Sequence, residues 1–162
     1  HVPFREVADL LTVEKICEVG RLLHRAMAKA GQAAPKIAVA GLNPHAGEGG
    51  VLGSEEVDTI GPAVEQLRAE GFDVAGPLPA DTLFVAARRG DFDGGVTMYH
   101  DQGQSAMKLL GFERGVTVAG GLPAIIATPA HGTAFDIAGK NVADPGAMRA
   151  AFRLACEMAM AR

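Results

Sequence analysis

The feature that most constrains the fold is a short apolar run that leads directly into a glycine-rich polar loop. The run, KIAVA at residues 36–40, is typical of a buried strand. The loop, GLNPHAGEGG at residues 41–50, carries an imidazole, a carboxamide and a carboxylate among four glycines. In α/β folds, ligands bind beyond the carboxyl ends of such strands. We therefore expect a functional site at this loop, with His45 as its central residue.

Helical and strand patterns alternate along the rest of the chain. Helical spacing and helix-end signals predict helices over residues 5–11, 13–30, 62–70, 80–89, 105–110 and 145–162. Short apolar runs predict strands over residues 36–40, 72–75, 95–99, 116–119 and 124–127, with a turn at 76–79 and a loop at 129–144. The last helix is expected to turn one apolar stripe inward, formed by Met148, Phe152, Ala155, Cys156 and Ala159. The alternation predicts one α/β domain over residues 1–162, built as a three-layer α/β/α sandwich.

Composition narrows the function classes. A net charge of −4 argues against a nucleic-acid or anionic-membrane partner, and no apolar run approaches the ~20 residues of a membrane span. Cys17 and Cys156 lack metal or redox spacing, which predicts reduced core thiols and a cytoplasmic location. The chain starts at His1 without Met or a signal-peptide pattern, so we expect it to be part of a longer protein.

Three histidines open or follow predicted loops: His1, His45 and His100. For any one of them alone, exposure to solvent or a bond to the backbone is the ordinary interpretation. However, His45 and His100 each follow a predicted strand, and each is followed by a carboxylate and a glycine. Three imidazoles leave coordination positions open, as a catalytic divalent metal requires. The pattern therefore favours a metal site.

Three further residues are candidates for chemistry near such a metal. Asp101 follows His100 directly, and Asp81 lies at the start of a predicted helix. A carboxylate beside a metal can orient a ligand imidazole or accept a substrate proton. For Asp81, a helix cap is an equally good interpretation. Lys108 lies on the helix after His100, either as a cation for a carboxylate or phosphate or as an ordinary solvated lysine.

A second constellation is the loop HGTAFDIAGK at residues 131–140, followed by ADP at 143–145. A long loop without secondary structure is uncommon unless it binds something. Its glycines and hydroxyl group suit an adenosine. The GxGxxG fingerprint is absent, which argues against a Rossmann dinucleotide site.

These motifs carry a family likeness. Residues 131–145 resemble the adenosine-binding loop of the isocitrate and isopropylmalate dehydrogenases. Together with GLNPHAGEGG, GPLPADTLF and MYHDQG, they resemble the 4-hydroxythreonine-4-phosphate dehydrogenase family of pyridoxal phosphate synthesis, with the motifs in the same order. The resemblance implies an isocitrate/isopropylmalate dehydrogenase-like fold. It also implies that this chain is the C-terminal portion of a two-subdomain protein, without the N-terminal half.

The resemblance further implies a metal-dependent, NAD(P)-linked oxidation of a secondary alcohol in a hydroxy acid, followed by decarboxylation, in a homodimer with its site at the subunit interface. The divalent metal (Zn, Co, Mn, Ni or Mg) would be bound by His1, His45 and His100. The catalytic residues would be Asp81, Asp101 and Lys108. Substrate would be bound by Lys108 and the residues at positions 117 and 126. The adenosine of NAD or NADP would be bound by His131, Gly132, Thr133, Ala134 and Asp144.

Two positions depart from the family pattern. Thr117 stands where the family has Asn, and Ile126 stands where it has Arg. Both positions resemble phosphate contacts, and isoleucine cannot replace a bidentate cation. This keeps open the same chemistry on another substrate, such as a phosphorylated sugar acid or a dihydrodiol dicarboxylate. An inactive metal-binding dimerisation fragment is the alternative from another class.

Overall fold

The computed structural model describes residues 1–161 as a mixed α/β fold. Its helices are α1 (Val7–Leu10), α2 (Val13–Lys29), α3 (Gly61–Ala69), α4 (Ala80–Arg89), α5 (His100–Gly111) and α6 (Gly146–Met160). Its strands are β1 (Ile37–Ala40), β2 (Val74–Leu78), β3 (Gly94–Val96), β4 (Val116–Val118) and β5 (Ala127–Pro129). Short 3-10 or π turns occur at Phe4–Glu6, Glu56–Ile60, Phe112–Arg114 and Phe135–Ile137. Within residues 1–161, no helix combines the length and apolarity that a membrane crossing needs.

Strand β1 lies at the centre of a parallel sheet in the order β2-β1-β3, and β4 pairs antiparallel with β5. Ile37 is opposite Val74 on one side and Gly94 on the other. All four residues of β1 are buried. Because successive side chains of a strand point to opposite faces, β1 needs cover on both sides.

Helices supply that cover on both faces of β1. Val39 packs in a cluster with Cys17 of α2 and Leu67 of α3, whereas Ala38 packs with Leu83 of α4. The predicted mixed α/β organisation around a parallel sheet is confirmed. The narrower assignment to an isocitrate/isopropylmalate dehydrogenase-like three-layer sandwich, as a single domain over residues 1–162, stays a prediction.

Helix α2 begins and ends at the predicted signals. The Thr12 hydroxyl accepts a hydrogen bond from the Lys15 amide at 3.2 Å, and Gly31 follows the helix with φ +97°. Cys17 is fully buried, its thiol donates to the Ala63 carbonyl at 3.4 Å, and burial raises its pKa. The core-thiol prediction is right for Cys17, whereas Cys156 is only partly buried.

An ion pair joins α2 to the residue that ends α3. The Arg21 guanidinium donates two hydrogen bonds to the Glu70 carboxylate, one of them from Nε to Oε2 at 2.7 Å. These bonds lower the pKa of Glu70 from 4.5 to about 2 and raise that of Arg21. The two helices that cover the same face of the sheet are therefore tied by a pair whose strength depends on pH.

The predicted turn at residues 76–79 is wrong in its first part. Strand β2 continues through Gly76 and Pro77 to Leu78. A Cβ at residue 76 would lie 2.6 Å from the Val39 carbonyl oxygen, so only glycine permits this approach. Pro77 is tolerated because β2 is at the edge of its sheet, where a missing N–H need not break the ladder.

Other boundaries also differ from the predictions. Strand β3 ends at Val96 rather than at residue 99, and helix α5 starts at His100 rather than at residue 105, so His100 begins a helix instead of a loop. Strand β5 covers Ala127–Pro129 rather than residues 124–127, which leaves Ile126 outside the strand. Helix α6 ends at Met160, and Arg162 of the predicted helix lies outside the described residues.

The predicted inner stripe of α6 is wrong for Met148, Phe152 and Ala159, which are exposed, whereas Ala155 and Cys156 are partly buried. Ala147, Ala151 and Met158 are buried, whereas Met148 and Phe152 are 57% and 72% exposed. The small side chains of Ala147 and Ala151 let α6 lie close to β4 and β5, and Met148 and Phe152 face outward. Apolar periodicity located the helix but not the face that is buried.

Candidate active site

Two of the predicted metal ligands lie side by side at the start of α5. The ring centroids of His1 and His100 are 4.7 Å apart, with an angle of 43° between the ring planes. His100 is the first residue of α5, directly after the extended Tyr99. The Phe4 ring packs edge-on against the Tyr99 ring with centroids 5.2 Å apart, which holds the N-terminal segment beside α5.

Asp101 orients one of these imidazoles. Its Oδ1 lies 2.6 Å from Nδ1 of His100. Because an ionised carboxylate only accepts hydrogen bonds, Nδ1 is the donor in this contact, and in a neutral imidazole this leaves Nε2 as the nitrogen with a lone pair. Histidine ligands of metals are commonly held in this way. The pair thus has the chemistry that its predicted roles require, although those roles stay predictions.

The two histidines line a hollow of about 540 Å³. Tyr99 and Asp101 line it as well, together with apolar side chains from the N-terminal segment, whereas His45 does not. Across residues 1–161, no three His, Cys, Asp or Glu side chains are close enough together to bind one metal ion. A single copy of the chain therefore brings together two of the three predicted ligands and leaves His45 apart.

The His45 loop has an unusual backbone. Five consecutive residues, 45–49, have positive φ angles between 47° and 76°, which makes a left-handed turn. Left-handed geometry costs about 1–2 kcal/mol for each residue other than glycine. His45, Ala46 and Glu48 bear that cost here, and His45 is exposed at the surface. Such strain persists only where the surroundings hold the segment in place.

Glu56, a buried carboxylate that was not predicted from the sequence, forms hydrogen bonds with the first residues of the loop. Glu56 is 4% exposed. Its Oε1 accepts hydrogen bonds from the amides of Leu42 (2.7 Å) and Asn43 (2.8 Å), and its Oε2 accepts one from the Asn43 side chain (2.9 Å). The available signal was its spacing, because Glu56 lies four residues before the buried Ile60 on the same inward helical stripe.

Gln102 was also missed, and it joins the two histidine motifs. Its Nε2 donates to the Gly41 carbonyl at 2.8 Å, and its Oε1 accepts from the Met98 amide at 2.8 Å. The side chain thus ties the end of β1 to the segment that leads into α5. A polar residue inside MYHDQG was the only signal for it.

Lys108 and Thr117 lie together. Both line a hollow of about 60 Å³, which Phe112 also lines. Lys108 is on α5, eight residues after His100 and so ~12 Å further along the helix axis. Ile126 does not line this hollow; it is 46% exposed, and its carbonyl accepts from the Ala119 amide at 3.0 Å. The structure therefore groups two of the three predicted substrate contacts.

Asp81 does not line the hollow of the histidine pair. It is exposed in the first turn of α4, and the N-cap of that helix is Pro79. The helix-cap interpretation is therefore wrong in its position, although a carboxylate in the first turn is still favoured by the helix dipole. Its catalytic role stays a prediction.

All five predicted adenosine contacts line one hollow of about 930 Å³: His131, Gly132, Thr133, Ala134 and Asp144. Nδ1 of His131 donates to the Gly132 carbonyl at 2.9 Å, and Asp144 accepts from the Gly146 amide at 2.8 Å at the start of α6. Phe112 lines both this hollow and that of Lys108. The candidate nucleotide and substrate regions are therefore neighbours along the surface.

Comparison with known proteins gives a consistent result. Residues 1–155 match the family model described as pyridoxal phosphate biosynthetic protein PdxA. A Rhizobium meliloti protein with the provisional name 4-hydroxythreonine-4-phosphate dehydrogenase 2 is 57% identical over 159 residues, which cover 98% of this chain and 46% of that protein.

Solved structures agree. The crystal structure of 4-hydroxythreonine-4-phosphate dehydrogenase from Klebsiella pneumoniae superposes with a TM-score of 0.86 at 44% identity, covering 98% of this chain and 48% of that one. A terephthalate 1,2-cis-dihydrodiol dehydrogenase from Burkholderia xenovorans LB400 superposes with a TM-score of 0.72 at 33% identity, covering 97% and 50%. The chain spans about half the length of the proteins it matches.

Proposed function

This chain belongs to the family of pyridoxal phosphate biosynthetic protein PdxA, and we propose that its protein is a metal-dependent, NAD(P)-linked dehydrogenase acting on a secondary alcohol of a hydroxy acid. The observation that carries the proposal is the contact of His1 with His100, whose imidazole Asp101 orients. The relatives that match almost the whole chain are named as dehydrogenases, which supports the same reaction class.

The two imidazoles that one chain supplies, those of His1 and His100, fit a divalent cation. Two imidazoles adjoin at a hollow, and the contact of Asp101 with Nδ1 of His100 leaves Nε2 of the neutral imidazole as the nitrogen that would bind a metal. A cation held here would polarise the oxygen of the substrate's hydroxyl or ketone group. Its identity among Zn, Co, Mn, Ni and Mg depends on geometry that imidazole ligands alone do not define.

His45 would reach the site from a second copy of the chain. It is exposed on the left-handed turn, and it does not line the hollow of the other two histidines. In a two-fold dimer, the same surface patch contacts its counterpart, so each subunit can complete the other's site. We therefore place the active site at a homodimer interface, with His45 of the partner subunit completing the set.

The remaining residues would bind the substrate and the nucleotide. Lys108 and Thr117 would hold the substrate's anionic group. The hollow lined by His131 and Asp144 would bind the adenosine of NAD or NADP. Asp81 would orient the substrate from α4. A bound nicotinamide would accept the hydride released when the carbinol C–H bond breaks, while the hydroxyl proton would pass to a base. A carboxylate β to the new ketone would then be lost as carbon dioxide, and a proton would take its place on carbon.

The substrate is proposed to be 4-phosphohydroxy-threonine, with one observation in favour of an alternative. Ile126 offers no cation for a phosphate, and its side chain lies outside the hollow of Lys108. A solved structure at 33% identity is named as a terephthalate 1,2-cis-dihydrodiol dehydrogenase. A dihydrodiol dicarboxylate or a phosphorylated sugar acid is therefore the second candidate for the same chemistry.

The test is turnover by the full-length protein with NAD and with NADP, before and after chelation. We expect activity to disappear on thorough chelation and to return with added Zn²⁺ or Co²⁺. Activity that survives metal removal contradicts the proposal. A substrate panel then separates the two candidates. For residues 1–162 alone, a metal-binding dimer by light scattering without turnover would mark this portion as inactive in isolation.

A further inference from the structure

We infer that Glu56 and Gln102 are positioning residues that fix the His45 loop relative to the start of α5. Together they form what we call the loop clamp, defined by these two side chains and the backbone of residues 41–43. The inference rests on the proposed function only in treating His45 and His100 as metal ligands. The geometry of the clamp itself is independent of that role.

The burial and the hydrogen bonds of Glu56 suit it to this positioning role. A buried carboxylate is costly unless hydrogen bonds or a cation compensate it. No Lys or Arg within residues 1–161 forms a salt bridge with Glu56, and its partners are instead three N–H groups of Leu42 and Asn43. Moving any of these N–H groups away would leave a buried carboxylate oxygen without a partner. The hydrogen bonds therefore fix the backbone of Leu42 and Asn43 relative to Glu56.

Two glycines of the loop make room for the carboxylate. A Cβ at Gly41 would lie 2.9 Å from Oε1 of Glu56, and a Cβ at Gly47 would lie 2.5 Å from Oε2. Gly47 follows His45 within the left-handed turn, so the clamp contacts that turn directly. Glycine at positions 41 and 47 therefore allows the loop to pack closely on the Glu56 carboxylate.

Gln102 holds the same segment from the other side. Its amide nitrogen binds the Gly41 carbonyl, while the next two backbone amides of the loop bind Glu56. Because Gln102 is two residues after His100 and also binds the Met98 amide, a shift of α5 would move the loop with it. The two motifs thus keep one relative position, which a site at a subunit interface requires.

The left-handed turn explains why support is needed. His45 and Ala46 have positive φ angles that L-amino acids avoid, so an unsupported loop would relax toward right-handed geometry. That relaxation would change the direction of the His45 side chain. The clamp opposes it through hydrogen bonds to the segment that leads into the turn.

The main test is Glu56→Gln in the full-length protein, with Asp58→Asn as a control that removes one exposed charge from the same turn. With glutamine, one end of the side chain becomes a donor and faces another donor, because both carboxylate oxygens now accept hydrogen bonds. We expect faster hydrogen–deuterium exchange over residues 42–52 in the metal-free protein. We also expect about tenfold weaker Co²⁺ binding, the range found for outer-shell partners.

Gln102→Met is the second variant. If Glu56→Gln does not fold, the exchange rate and Co²⁺ affinity of Gln102→Met test the clamp instead. Exchange in both variants equal to that of Asp58→Asn overturns the clamp. Faster exchange with unchanged Co²⁺ affinity and spectrum overturns its positioning role and leaves a purely structural one. If the unmodified protein binds no Co²⁺, the proposed metal site fails, and the exchange measurement still decides the clamp separately.

Discussion

The Nδ1 atom of His100 lies 2.6 Å from the Asp101 carboxylate, and the same imidazole lies beside His1 with ring centroids 4.7 Å apart. Adjacent residues in the sequence thus supply both a candidate ligand and the group that orients it. The arrangement depends on α5 starting at His100, which aims both side chains from the first turn of the helix.

Removal of the orienting carboxylate is expected to weaken metal binding. In Asp101→Ala, Nδ1 of His100 loses its acceptor and the ring loses its fixed orientation, so affinity for Zn²⁺ or Co²⁺ should fall about 10–100-fold. Asp101→Asn keeps an acceptor oxygen and should lose less. Metal titration measures both, with Asp73→Ala as an exposed control. Equal affinity in all four proteins would refute the orienting role.

The origin of His45 can be tested by subunit mixing. His45→Ala and His100→Ala should each abolish activity. If His45 comes from the partner subunit, a mixed dimer of the two variants contains one intact site. Random co-assembly should then restore about a quarter of the unmodified activity, because half the dimers are mixed and each has one working site. No recovery in purified mixed dimers would assign all three histidines to one chain.

Ile126→Arg is expected to favour a phosphorylated substrate. A guanidinium can form bidentate hydrogen bonds with phosphate, worth about 1.5–3 kcal/mol, or roughly 10–100-fold in affinity. The ratio of kcat/KM for phosphorylated and non-phosphorylated substrates measures the change, with Ile126→Met as the apolar control. An unchanged ratio would show that residue 126 lies outside the substrate site.

Alanine variants at two glycines of the loop can distinguish the cost of backbone strain from the cost of lost close packing. Gly47 and Gly49 have φ angles of +76° and +67°, but only Gly47 lies against Glu56. Gly49→Ala should cost about 1–2 kcal/mol of unfolding free energy from the left-handed geometry alone. Gly47→Ala should cost more, because its Cβ would also displace the carboxylate. Urea unfolding compares them, and equal costs would mean that Glu56 shifts freely.

Stability should depend on pH through the Arg21–Glu70 pair. The pKa of Glu70 is lowered from 4.5 to about 2 in the folded chain, because Arg21 binds the ionised form. The stabilisation is therefore present above about pH 4.5 and is lost as the pH falls toward 2.

The variant Glu70→Gln should unfold at lower urea concentration than the unmodified protein at pH 7, and the two midpoints should converge as the pH falls from 4.5 toward 2. Glu157→Gln removes a charge from α6 and serves as the control. A difference between Glu70→Gln and the unmodified protein that persists unchanged at low pH would contradict the assignment.

Some of this fold could be predicted because its signals are local. The start of α2 at Thr12 and its end before Gly31 depend on cap chemistry within a few residues, and both are as predicted. The same holds for the buried strand β1 and for α4. The motifs that contain His45, His100 and His131 were recognised from short runs of residues, and the family they indicated is the one to which the chain belongs.

Tertiary structure decided the rest, because each remaining outcome depends on groups distant in the sequence. Strand β2 passes through Gly76 because Val39 of another strand lies against it. Helix α6 buries Ala151 instead of Phe152 because β4 and β5 approach that face. Glu56 is buried because the amides of Leu42 and Asn43 meet it. The sequence by itself determined the family and named the candidate site residues, and long-range packing decided what holds those residues in place.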